Sequence, residues 1–148
     1  MAIDRNVVIE LRKEVLLGAW LGFLVLGVGG RAVMHGIALA TDVPTVITIG
    51  GTVTVVASGV AAGIAGALLH SLSRVLAWRF VSGNAAVRIA LFGALLALVT
   101  ARGLHGSPSG PATAFWPLVI IYGALQDWLV TRRLNAGARA RIAEVPAS

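Results

Sequence analysis

Residues 43–73 read VPTVITIGGTVTVVASGVAAGIAGALLHSLS, and none of these 31 positions is Asp, Glu, Lys or Arg. A helix needs about 20 mainly apolar residues to cross roughly 30 Å of hydrocarbon. This stretch exceeds that length, and its glycines, which would count against a helix in water, are normal in lipid. The rest of the chain agrees. A soluble domain is about 25% charged and about 45–50% apolar, whereas these 148 residues are 12% charged and 57% apolar, with a mean hydropathy of +0.89. A water-soluble globule does not fit those proportions.

Three more charge-free gaps flank the first: Val15–Gly30, Ile89–Ala101 and Gly103–Gln126. The short third gap reaches spanning length if Arg88 and Arg102 extend their side chains to the two interfaces. The expected fold is an all-α integral membrane protein, a four-transmembrane-helix bundle with spans near 13–35, 46–71, 84–103 and 114–132. Residues 136–148 are expected to form a flexible cytoplasmic tail. Small residues recur at i, i+4 on these spans: Gly18 and Gly22; Ser58, Ala62 and Gly66, with Gly59, Gly63 and Ala67 beside them; Gly93, Ala97 and Ala101. Such ridges let helix backbones approach closely in lipid.

Orientation follows from the basic residues in the short connections. Arg5, Arg12, Lys13, Arg74, Arg79, Arg88, Arg132, Arg133, Arg139 and Arg141 fall on one side, and only Arg31 and Arg102 on the other. Ten against two places both termini and the middle loop in the cytoplasm, in a cytoplasmic or inner membrane. The net charge of +6 is therefore a topology signal, and no basic face on a soluble fold points to nucleic acid. Ala38-Leu39-Ala40 has the form of a signal-peptide cleavage site, but the apolar core before it is too long, and Arg31 and His35 intrude. Span one is expected to be retained. Asp4 is a candidate N-cap for the first helix, Pro117 suits the first turn of the last, and Asn135 with Gly137 is expected to close it.

Ionisable residues inside a span are costly and mark function by default. Arg31 and His35 lie in GVGGRAVMHG (27–36), on a ridge with Phe23 and Gly27 at i+4 spacing. Either Arg31 faces a partner helix or ligand, or span one ends there and Arg31 snorkels outward. Arg31…His35-Gly36 is echoed by Arg102…His105-Gly106, each after an odd-numbered span. This suggests two tandem helix-pair repeats related along the membrane normal. The echo would gather Arg31, His35, Arg102 and His105 at the outer face as a ligand-binding cluster, with Asp42 as counter-ion. Two guanidiniums in low dielectric attract an anion; His35 or His105, oriented by Asp42, would supply acid–base chemistry.

A secondary inner cluster comprises His70, Arg74, Gln126 and Asp127. There Asp127 is expected to pair with Arg132, Arg133 or Arg74, and Glu10 and Glu14 to sit on a solvated face with Arg12 and Lys13.

Other chemistries find no residues. With no cysteine, disulfides, iron–sulfur clusters and dithiol redox sites are excluded. The chain has no Gly-rich phosphate loop, no HExxH and no Gly-x-Ser-x-Gly. Lys13, the only lysine, lies outside the spans, which leaves no intramembrane retinal anchor. No metal site is expected and no cofactor is identified: His35 and His70 fall toward opposite faces, too far apart to share one haem. The expected function is a binding or scaffold subunit of a larger or homo-oligomeric membrane complex, in contact with the lipid bilayer and with its own copies or other membrane subunits. The alternatives are an oligomeric channel or transporter for a small anion, and a membrane-embedded enzyme acting on a lipophilic substrate.

Overall fold

The computed structural model describes residues 5–42, 48–81, 84–104 and 113–143, and these are helical almost throughout. The first helical rod runs from residue 5 to 40 in three joined parts: α1 (Arg5–Leu21), a π-helical segment (Gly22–Val28) and α2 (Gly29–Ala40). Three further helices follow: α3 (Ile49–Val81), α4 (Ala85–Leu104) and α5 (Trp116–Ala143).

Helix starts are set by local hydrogen bonding. Thr48 caps α3, its Oγ1 accepting from the Gly51 amide at 3.1 Å. Asn84 caps α4, its Oδ1 accepting from the Ala86 amide at 2.9 Å. Both satisfy amides that a helix start leaves without an intrahelical acceptor. Pro117 occupies the first turn of α5, where a missing N–H is harmless. The first rod stops at Thr41, whose amide and hydroxyl both donate to Ile37 O, and Asp42 takes the left-handed φ of 56°. Asp4, the expected first cap, lies outside the described residues.

The glycine spacing explains the π segment. Gly18 and Gly22 are four residues apart, but Gly22 and Gly27 are five apart, a step that an i→i+5 turn matches. All three glycines thereby meet α3. A Cβ on Gly22 would sit 2.6 Å from Gly63 Cα, and one on Gly59 would sit 2.7 Å from Gly27 Cα. Backbone touches backbone along Gly59 and Gly63, as small residues permit in lipid. The wider turn also breaks the expected Phe23–Gly27 ridge: Gly27 is buried, Phe23 only half-buried.

α3 is the central helix, packed most heavily on the first rod and next on α4, while α5 closes against all the others. Gly66 receives the Tyr122 ring, whose hydroxyl donates to Gly63 O at 2.7 Å. At the other end of α5, Leu118 and Phe115 pack on Gly29 and Gly30. Gly93 on α4 departs from the expected ridge packing. Nothing lies within 4 Å of where its Cβ would be, and the neighbouring Phe92 turns inward instead.

Among the described residues, three helical stretches are long and apolar enough to cross a membrane: Val8–Ala40, Ile49–Phe80 and Ala85–Arg102. The chain is thus an all-helical, multi-pass membrane protein. α5 falls short because Gln126, Asp127, Arg132 and Arg133 interrupt it. It also runs on through Asn135 and Gly137 to Ala143, so the expected tail is helical over 136–143.

Candidate functional site

Helical register builds one polar site at the arginine-rich end of the bundle. On α3, Gly66, His70 and Arg74 follow at i+4; on α5, Tyr122 and Gln126 do the same, then Asp127 and Thr131. On α4, Arg88 stands one turn before Phe92, and on α1, Glu14 one turn before Gly18. Each polar residue therefore continues a face already turned inward by a glycine or an aromatic ring.

Two charge pairs result. Arg74 Nη1 donates to Glu14 Oε1 in a close ion pair, and Ser71 Oγ donates to Glu14 Oε2. Arg88 grips Asp127 with both terminal nitrogens, Nη1 at 2.9 Å from Oδ1 and Nη2 at 3.4 Å from Oδ2, and Nη2 also donates to Thr131 Oγ1 at 3.3 Å. His70 Nε2 lies 3.2 Å from Asp127 Oδ1. A carboxylate only accepts, so this contact assigns the ring proton to Nε2. The other face of the imidazole meets Phe92 edge-on, with centroids 5.1 Å apart. Formal charges cancel within each pair, as groups withdrawn from water require. The network joins all four helices.

Beside these pairs lies unspent hydrogen-bonding capacity. His70, Ser73 and Gln126 are fully buried. Ser73 Oγ donates to His70 O at 2.7 Å. His70 Nδ1 and both polar atoms of the Gln126 amide have no partner among the described residues. Such atoms cost about 1–3 kcal/mol each, or hold an internal water.

Several expectations are corrected here. Glu14 is buried at 8% exposure and bonded to α3, not solvated; only Glu10 keeps the expected partner, Lys13, at 2.8 Å. Asp127 pairs with Arg88 and His70 instead of Arg132, Arg133 or Arg74, because α4 brings Arg88 to it; Arg132 lies over the Trp128 ring, 5.2 Å from its centroid. Arg88 turns inward at 15% side-chain exposure in place of snorkelling. Glu14 is discoverable from its i+4 relation to Gly18; Arg88 has no comparable local signal.

The outer residues are arranged differently. Arg31 is half-buried on α2, while His35, Asp42 and Arg102 are exposed. Among the described residues no hydrogen bond or ion pair joins these four, and His105 lies outside the described residues. Nor do any described His, Asp and Glu residues group as metal ligands.

Among the described residues, cavities flank and enter the helix packing. One of about 730 Å³ opens beside Glu14, Arg74 and Arg88. One of about 570 Å³ lies between all four helices, with apolar walls and Tyr122 among its lining residues. A groove of about 470 Å³ runs between α4 and α5 past Gly93, Ala97 and Gly123. In comparisons with known proteins, no family, no curated protein and no solved structure matches this chain. What its residues define is a class, the small multi-pass helical membrane protein with a buried, charge-balanced polar network.

Proposed function

We propose that the protein is a binding or scaffold subunit of a membrane assembly, crossing the bilayer four times with both termini on the cytoplasmic side. Neutralisation of Asp127 by Arg88 lowers the cost of placing α5 in lipid, and residues 116–132 span about 25 Å, which terminal arginines can extend. The ten-to-two division of basic residues supports the orientation.

The observation that carries the assembly reading is the bareness of α4. Only 6% of its spanning stretch is buried within the chain, against 28% for the first rod and 22% for α3. That bare surface includes Gly93 and borders the groove toward Gly123. Small residues at a lipid-facing groove suit a further helix, from a second copy or another membrane subunit. The alternative, conduction of a small anion past Arg31 and Arg102, has less support, because no hydrogen bond or ion pair among the described residues brings the two together.

Purification in mild detergent, followed by light scattering and cross-linking, tests the reading. The wild-type chain is expected to run as a multimer or with a co-purifying membrane protein. Gly93→Leu, whose Cβ meets nothing within 4 Å and whose side chain enters the groove, is expected to dissociate it. A monomeric wild type without a partner, or an unchanged Gly93→Leu assembly, would refute the proposal.

A further inference from the structure

We propose that the 730 Å³ groove at the arginine-rich end binds one anionic phospholipid, its phosphate on Arg74 and one acyl chain against Leu72 and Val75. This inference is independent of the assembly reading. The groove runs between α1 and α3, with Arg88 reaching in from α4. Arg74 uses Nη1 on Glu14; its Nη2 and Nε have no protein partner among the described residues, and its side chain is 33% exposed. Arg88 is occupied by Asp127, so it adds positive field more than a free donor. Glu14 and Asp127 balance the two guanidiniums, but exposed Arg12 and Arg79 stand beside lining residues in the chain and leave the rim net positive. That surplus selects an anion. Basic pockets between helices near a membrane surface take phospholipid head groups in this way.

The remaining lining selects a lipid over a free phosphate ion. Leu11, Leu72, Val75 and Trp78 make up the apolar part of the wall. Val75 and Trp78 are 62% and 77% exposed, on a helix long and apolar enough to cross a membrane. Trp78 lies toward the end of α3, where an indole sits at head-group level. A phosphate diester therefore meets the guanidinium while its chain lies on the apolar wall, and inorganic phosphate gains only the first contact.

Native mass spectrometry of the full chain in mild detergent tests this, with equimolar phosphatidylglycerol and phosphatidylcholine of identical chains. The first bound lipid is expected to be phosphatidylglycerol by about fivefold, the weight of one arginine near a membrane surface. The paired change Glu14→Gln with Arg74→Gln removes both charges together and should bring the ratio close to one. Val75→Trp alters only an exposed wall residue and should weaken binding of that first lipid while leaving the ion pairs intact. If the paired variant does not fold, Val75→Trp decides alone. Excess inorganic phosphate should displace nothing. Equal binding of the two lipids by wild type, a ratio that survives both variants, displacement by phosphate, or an equal loss in Arg132→Gln would each overturn the assignment.

Discussion

The two ends of the bundle hold similar residue types in opposite conditions. At one end Glu14, His70, Arg74, Arg88 and Asp127 are drawn into ion pairs and hydrogen bonds that cross all four helices. At the other, Arg31, His35, Asp42 and Arg102 share no hydrogen bond or ion pair among the described residues. The difference lies in what stands one turn away. Glu14 follows the face of Gly18, and His70 that of Gly66, and both glycines are buried against neighbouring helices. Leu39, one turn from His35, is 71% exposed. Glu14 and His70 are thus carried into the packing by their own helix faces, His35 stays at the periphery, and Arg31, one turn from buried Gly27, is half-buried without a bond to the other outer residues.

The largest effect is expected from breaking the packed end at its centre. Asp127→Leu leaves the Arg88 guanidinium, 15% exposed, without its carboxylate. Removing one partner of a buried pair typically costs about 3–5 kcal/mol. Because Arg88 retains some access to solvent, the lower figure of about 3 kcal/mol is expected. Equilibrium unfolding in mixed micelles measures it. Adding Arg88→Leu to that variant should recover most of the loss, the remainder being the acceptor that His70 Nε2–H has lost. A double variant as unstable as the single one would show that the pair is not the unit holding the helices.

Much of this comparison is legible in the amino-acid sequence alone. Residues 43–73 announce a membrane helix by length and lack of charge, and α3 indeed covers most of them. His70, Arg74, Gln126 and Asp127 are legible as a cluster because i+4 spacing aligns His70 with Gly66. Their partners are not, since Glu14 and Arg74 are 60 residues apart and Arg88 and Asp127 are 39 apart. Local spacing says which way a residue points within its own helix but not which helix arrives opposite. The π segment is hidden for a related reason. An i+4 reading of Phe23, Gly27 and Arg31 assumes an unbroken α-helix, whereas close contact with Gly59 and Gly63 favours a five-residue step.

An intermediate effect of opposite sign is expected inside the same packed end. Gln126 is fully buried with neither amide atom bonded among the described residues. Gln126→Leu exchanges that amide for a side chain of similar size and removes two atoms whose hydrogen bonds are unmade. Stability in the same unfolding measurement should rise by about 1 kcal/mol. A marked loss instead would mean that the amide is satisfied by an internal water bridging it to His70 Nδ1. In that case His70→Phe in the Gln126→Leu background should cost little more, because both would have lost the same bridge.

The smallest effect belongs to the peripheral end. Arg102 is exposed at the end of α4, and Arg31 lies half-buried on α2 beside Gly30, which Phe115 approaches. Neither is bonded to His35 or Asp42, so Arg31→Gln and Arg102→Gln should each change stability by no more than about 0.5 kcal/mol. The paired change should equal the sum of the two, since sites without shared partners add. Coupling between them would be the sharper result. Two arginines that do not touch repel each other weakly through solvent, whereas a stabilising coupling points to something held between them, such as an anion, and would vanish in anion-poor buffer. Additive, small effects at any anion concentration would leave these arginines as membrane-surface anchors.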